Sequence, residues 1–193
     1  MAEQRARWHE ELAAEPSARL VFVDESGAST QMTRRGGRAL AGQRLVMHVP
    51  HGHYQTTTLV AAVRLSGPAA PCLFAGAMDG AMFLAWIREG LAPTLQAGDM
   101  VVMDNLATHK VAGVSQAIAE TGARLRYLPA YSPDFNPIEN MWSKVKQTLR
   151  SLAPRTQDEL TEATKTAFAA ITPADCKGFF SNARYATSFV EPL

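Results

Sequence analysis

Polar and apolar positions along the chain switch between a two-residue and a 3.6-residue period, and the switches mark out the elements. Residues 18–24, ARLVFVD, form a β-branched and aromatic run that stops at a carboxylate and predicts the first strand. After the Gly36-Gly37 turn, residues 43–49 and 57–65 predict two more strands joined around HVPHGHYQ, and such short connections predict an antiparallel meander. A further apolar segment, 71–78, leads into Asp79-Gly80. Residues 81–96 carry Phe83, Leu84, Ile87 and Leu91 at helical spacing, which predicts a helix packed through one face. Residues 99–104, DMVVMD, read as a buried strand that again ends in a carboxylate. A helix is expected over 108–121, closed by Gly122, and the last strand over 124–128. Beyond a proline-rich turn, helices are expected over 137–151 and 156–170, and another opens at Thr172-Pro173, a cap followed by proline at the first helical position. The sum is α/β, a mixed five-stranded sheet flanked by helices, with C-terminal helices after it.

Length changes this picture little: 193 residues suit one well-buried core. The division expected is a helical segment at 1–17 containing Trp8 and Leu12, a core at 18–151, and a helical extension at 152–193 set off by the linker-like residues 151–154. No apolar stretch is long enough to span a bilayer, and the N-terminus lacks the apolar core of a signal peptide, so a cytoplasmic location without membrane contact is expected. Cys72 and Cys176 lie far apart without metal-ligand spacing, which predicts small buried hydrophobes rather than a disulfide or a zinc site.

Charge changes it more. The net charge is only +1, but no Asp or Glu occurs between Glu25 and Asp79, where Arg34, Arg35, Arg38, Arg44 and Arg64 lie with His48, His51 and His53. None occurs between Glu139 and Asp158 either, where Lys144, Lys146, Arg150 and Arg155 accumulate. Segments kept free of acid suit a surface that meets phosphates, because each basic group that neutralises a phosphate releases counterions. Solvated basic residues on a polar hairpin and a helix face are the ordinary alternative.

Three acids invite a chemical reading. Asp24 and Asp104 each end a predicted strand, and side chains at the carboxyl ends of neighbouring strands converge on a crevice. Glu139 sits in the first turn of a helix announced by YSPDFNPIENMWSKVK. It has two readings, a capping glutamate bonded back to the Asn136 N–H or a third carboxylate in that crevice. Asp24 and Asp104 have their own local alternative as turn formers beside Ser26-Gly27 and Asn105. If the three meet, they need a cation, and hard divalent ions prefer oxygen ligands. Two such ions suit in-line phosphoryl displacement. Glu25 alternates away from Asp24 on a strand and is not expected to be a ligand. His51 and His53 lack a third ligand, and Trp86 and Trp142 are expected in the core.

Five ordered stretches, FVDESG at 22–27, MTRRGGRALAGQR at 32–44, VPHGHYQTTT at 49–58, VVMDNLATHK at 101–110 and YLPAYSPDFNPIENMWSKVK at 127–146, resemble the DDE transposases of the mariner superfamily, specifically the bacterial insertion-sequence branch. The 34 residues between Asp104 and Glu139 match the interval typical of that superfamily. The resemblance implies a ribonuclease H-like catalytic core that cuts DNA at transposon ends and joins the freed 3′-hydroxyl to target DNA, commonly at a TA dinucleotide. It also implies that Asp24, Asp104 and Glu139 are the catalytic, metal-binding triad for two Mg²⁺ or Mn²⁺ ions. Asn105 and His109 follow as auxiliary candidates, and Arg34, Arg35, Arg38, Arg44, Lys110, Lys144 and Lys146 as DNA-contact candidates. The expected partners are double-stranded DNA at transposon ends and target, a second copy in an active homodimer, and a separate helix-turn-helix polypeptide, since only 23 residues precede Asp24. The expected setting is the nucleoid. Two other functions stay open, a ribonuclease H-like nuclease or resolvase without strand transfer, and a truncated non-catalytic regulator of an intact transposase.

Overall fold

A computed structural model describes residues 2–12, 15–51 and 56–187. The sheet is five-stranded, ordered β3-β2-β1-β4-β5, from β1 (Leu20–Ser29), β2 (Thr56–Arg64), β3 (Gly67–Ala75), β4 (Met100–Met103) and β5 (Arg124–Tyr127). β1, β2 and β3 run antiparallel, whereas β4 and β5 run parallel to β1, so the sheet is mixed as expected.

Alternation along β1 and β4 sorts the two faces. Leu20, Phe22, Met100 and Val102 point into a core shared with α4 (Pro137–Leu152), α5 (Gln157–Ala169), α6 (Pro173–Asn182) and α1 (Ala2–Leu12). Val21, Val23, Val101 and Met103 point into a second core under α2 (Gly80–Trp86) and α3 (Val114–Ala119). The strands connecting these layers are buried on both faces, which is why they read as apolar runs. Trp142 and Trp86 are core residues, as expected, and full burial of a side chain of that size contributes roughly 1.5–3 kcal/mol. Cys176 is buried, while Cys72 on the edge strand β3 is only half-buried.

Helix starts follow their caps. Thr156 and Thr172 each accept from the backbone N–H three residues on, and Glu159 and Asp175 return the bond, closing a capping box on α5 and on α6. α4, α5 and α6 all contribute to the core cluster that contains Phe22, so the residues beyond 151 pack continuously with the sheet.

Three sequence expectations need correction. Residues 43–49 form no strand: the third strand of the meander is Gly67–Ala75, which occupies the free edge of β2. The segment 43–49 has the right alternation but no partner, and Leu45, Val46 and Val49 are exposed, Val46 to 72%. Arg34, Arg35, Arg38 and Arg44 therefore lie on an irregular excursion between β1 and β2 rather than on a hairpin. Asp24 does not end β1, because pairing with β2 continues to Ser29 opposite Thr56; it ends only the parallel pairing with β4. The helix expected over 108–121 is broken by Gly113, whose φ of 99° lies in the left-handed region, into a 3₁₀ turn at Ala107–Lys110 and the short α3. Among the described residues no helix is long and apolar enough to cross a membrane.

Candidate active site

The parallel register places the first two acids side by side. Val23 pairs with Met103, so Asp24 and Asp104 are the next residues on adjacent parallel strands, and both alternate to the α4 face of the sheet. Glu139 reaches that face from the first turn of α4. All three line one cavity of about 390 Å³, together with Asn105, Asn136 and the turn 128–133.

Glu139 is not a capping glutamate. The Asn136 N–H donates to the Pro133 carbonyl at 3.0 Å, and no side chain caps α4. Proline at the first helical position and the preceding 3₁₀ turn Pro133–Phe135 hold the helix start instead. Asn136 is 3% exposed, and its Oδ1 has no hydrogen-bond partner among the described residues although it borders the cavity.

The turn itself is anchored from outside. Arg5 of α1 donates to the Tyr131 carbonyl at 3.0 Å and to Ser132 Oγ at 2.7 Å, and forks onto Asp134 at 2.7 and 3.1 Å. Tyr131 stands at the cavity mouth with φ of 56° and 88% exposure.

Electrostatics within the cavity differ from one carboxylate to the next. Burial, then the charge of Glu139, pushes the Asp24 carboxyl up to about 8, with Glu25 and Asp104 adding to the rise and a 2.8 Å bond from the Glu25 N–H opposing it. Asp104 is the reverse. Burial would raise it, but hydrogen bonds from His109 and the Leu106 N–H outweigh burial and hold it below the usual range.

Sequence reasoning treated Glu25 as a bystander and His109 as one of two auxiliary candidates; the structure joins them. His109 is 0% exposed, its Nδ1 lies 2.6 Å from Asp104 Oδ1, and its Nε2 lies 2.8 Å from Glu25 Oε2. Burial works against charge on this ring, but the bonds to Asp104 and Glu25 prevail and raise it to about 10. Glu25 does alternate to the opposite face from Asp24, and that is where His109 lies, packed on Phe83 at 4.4 Å. The dipeptide Asp24-Glu25 with His109 five residues after Asp104 was the available signal; the broken helix at Gly113 obscured it.

Do these residues fit a divalent cation? The donors are hard oxygens, Asp24 is raised by burial and then by the charge of Glu139, and a buried Asn136 oxygen stands unpartnered beside them. A cation would relieve the last two conditions. Among the described residues, however, no group of three or more His, Cys, Asp or Glu is already gathered tightly enough to hold an ion. His109 is no candidate ligand, since both ring nitrogens are engaged by carboxylates.

The basic candidates divide. Arg34, Arg35 and Arg150 line a second cavity of about 370 Å³ with Gln147 and Ser151, and Arg34 donates to Ser151 Oγ at 2.9 Å. Lys146 is lowered by burial and then by Arg150, with Glu139 and Asp24 opposing, so it stands between this cluster and the carboxylates. Arg150 was not among the expected contacts. Lys144 goes elsewhere, donating to Asp175 Oδ2 at 2.6 Å and tying α4 to α6. Lys110 sits 5.5 Å above the Tyr127 ring. Arg38 and Arg44 are exposed on the excursion, Asn105 borders the carboxylate cavity, and His53 lies outside the described residues.

A family model described as DDE superfamily endonuclease matches residues 19–161. No curated protein matches the sequence. Among solved structures, the chain resembles a pre-cleavage Mos1 transpososome with a TM-score of 0.75 at 15% identity, covering 94% of this chain and 57% of that one. It resembles the Mos1 strand transfer complex with a TM-score of 0.74 at 16% identity over 95% and 57%. The catalytic domain of Mos1 mariner transposase matches at 0.67 and 15% identity over 94% and 86%. At such identities the likeness is one of fold, the ribonuclease H-like fold, and the chain spans little more than half the transpososome subunit.

Proposed function

The chain belongs to the DDE superfamily endonucleases, and from that membership we propose that it is a transposase catalytic domain that cuts DNA at transposon ends and joins the freed 3′-hydroxyl to target DNA. The observation that carries the proposal is the meeting of Asp24, Asp104 and Glu139 in one cavity on the sheet's α4 face. These three would hold two Mg²⁺ or Mn²⁺ ions. When bound, such ions supply Lewis-acid activation of the attacking hydroxyl and charge stabilisation at the leaving oxygen. Solved Mos1 structures are described with Mg, with Mn and as paired-end and strand transfer complexes, which supports the choice of ion and of DNA.

The chain's own residues supply position. Asp24 and Asp104 are fixed by the β1–β4 register, and Glu139 by the proline-started helix. Arg34, Arg35, Arg150 and Lys146 form no ion pair among the described residues, and a cluster of unneutralised cations beside the carboxylates suits a phosphate backbone running into the cavity. Such contacts orient the strand and carry no sequence information. Partners proposed on this reading are double-stranded DNA, a second copy in the active complex, and a helix-turn-helix module, on a separate polypeptide, that reads the transposon end. A place in the bacterial insertion-sequence branch is part of the proposal, supported by the five ordered stretches at 22–27, 32–44, 49–58, 101–110 and 127–146.

The experiment is strand transfer from a pre-cut end. Duplex DNA bearing a free 3′-hydroxyl is incubated with the full chain, supercoiled plasmid and Mg²⁺ or Mn²⁺. Covalent joining of duplex to plasmid supports the proposal; plasmid nicking without joining would assign hydrolysis alone, and neither product under either ion would assign a non-catalytic role.

A further inference from the structure

We infer that Glu25 and His109 are positioning residues for Asp104, a buried histidine backed by a partly buried glutamate that fixes one carboxylate oxygen so that the other is presented to a divalent cation. The inference rests on the metal-binding reading of the cavity.

Geometry carries it. A carboxylate can only accept, so His109, flanked by Asp104 and Glu25, donates from both ring nitrogens. Asp104 Oδ1 receives two donors, His109 Nδ1 at 2.6 Å and the Leu106 N–H at 3.0 Å. Both bonds fall on the same oxygen, which leaves Oδ2 for the cavity that Asp104 borders. Glu25 receives the other ring nitrogen at 2.8 and 3.0 Å through its two oxygens, so the imidazole cannot swing. Phe83 lies against the ring at 4.4 Å, and the Tyr127 hydroxyl holds the His109 carbonyl at 3.1 Å.

Folding alone does not call for this arrangement. An apolar side chain between Phe83 and the sheet would fill the same space without burying a charged ring between two partly buried carboxylates, and buried ion pairs are often neutral or unfavourable against apolar replacements. Nor is Asp104 held by regular structure: it stands just past the end of β4, before the 3₁₀ turn Ala107–Lys110. A rotatable carboxylate at that point loses affinity for a cation, and partners that orient a ligand typically contribute 10–100-fold.

The test is Mn²⁺ binding by the full chain without DNA, read from the loss of the free-ion electron paramagnetic resonance signal. Parent, Glu25→Gln, His109→Gln and, as a reference, Asp104→Asn are compared, with thermal unfolding in EDTA recorded for each. Glu25→Gln and His109→Gln are expected to remain folded and to weaken Mn²⁺ binding about 10–100-fold. Their double variant should be little weaker than either single one, because the two act as a unit. Parental affinity in both folded variants would overturn the inference, as would loss of the fold in both, which would mark the pair as structural. Should His109→Gln alone unfold, Glu25→Gln decides. Parental binding by Asp104→Asn is a different failure, since it would remove the metal-site reading itself.

Discussion

The two ends of β4 treat a carboxylate in opposite ways. Asp99, just before the strand, is 1% exposed, and it is neutralised: Arg64 donates to it at 2.8 Å, Arg19 lies 3.7 Å away, and the Gln96 N–H adds a third contact at 2.8 Å. Asp104, just after the strand, shares a cavity with Asp24 and Glu139; its cationic partner His109 is shared with Glu25, and among the described residues no arginine pairs with any of the three cavity carboxylates. A carboxylate that serves the fold carries its counter-charge with it. Carboxylates that await a ligand are left crowded, and the chain keeps Lys146, Arg150, Arg34 and Arg35 a step away where a polyanion could lie between.

The comparison breaks most visibly at Asp99. Asp99→Ala strands Arg64 in a largely buried position and should destabilise the protein by about 3–5 kcal/mol, measured by urea unfolding. A loss below ~1 kcal/mol, the level of a surface pair, would deny that this end is structural. Asp24→Asn should act in the other direction. Burial, then the charge of Glu139, raises Asp24, and a neutral amide of the same shape avoids both, so the metal-free variant should gain about 1 kcal/mol, or roughly 2–4 °C in melting temperature. A variant that melts lower than the parent in EDTA would show that the carboxylates are not in conflict.

Exposed charges should matter less to the fold. Replacing Arg34, Arg35 and Arg150 with Gln should leave stability within about 0.5 kcal/mol. It should flatten the salt dependence of DNA binding by up to about one unit of slope per lost phosphate contact. An unchanged slope would place the DNA elsewhere. The smallest effect is expected at Asp175, which the hydrogen bond from Lys144, then the Thr172 N–H and hydroxyl, lowers to about 2. Its folded value lies below the ordinary 3.8, so its stabilisation is complete above pH 4 and is lost as pH falls through about 2. The melting-temperature gap between parent and Asp175→Asn should shrink over that window; a gap independent of pH would remove the ion pair from the account.

Much of this was legible in sequence, for reasons that also mark where reading stopped. Apolar runs located β1, β2, β4, β5 and the C-terminal helices, because each buries a face whose period survives in the residues. Thr156 and Thr172 announced α5 and α6 through local bonds. Residues 43–49 misled because alternation is a property of one strand and pairing is a property of two; β3, half-buried and rich in Ala and Pro, took the edge instead. Asp24, Asp104 and Glu139 could be picked out by spacing and by the motifs around them. Glu25 could not, since its partner His109 is 84 residues away on the far face of the sheet. Arg150 was visible as part of an acid-free segment, but its proximity to Arg35 was not, as that depends on how the excursion after β1 folds back over α4.

The central claim is that the carboxylates beyond β4 form a cation site and the one before it does not. Calorimetric titration of Mn²⁺ into the parent, Asp24→Asn, Asp104→Asn and Glu139→Gln, with Asp99→Asn studied below its melting temperature, tests it directly. The account predicts binding by the parent, at least about a tenfold loss of affinity in each of the three cavity variants, and parental affinity in Asp99→Asn. Parental affinity in any cavity variant, or a loss confined to Asp99→Asn, would contradict it.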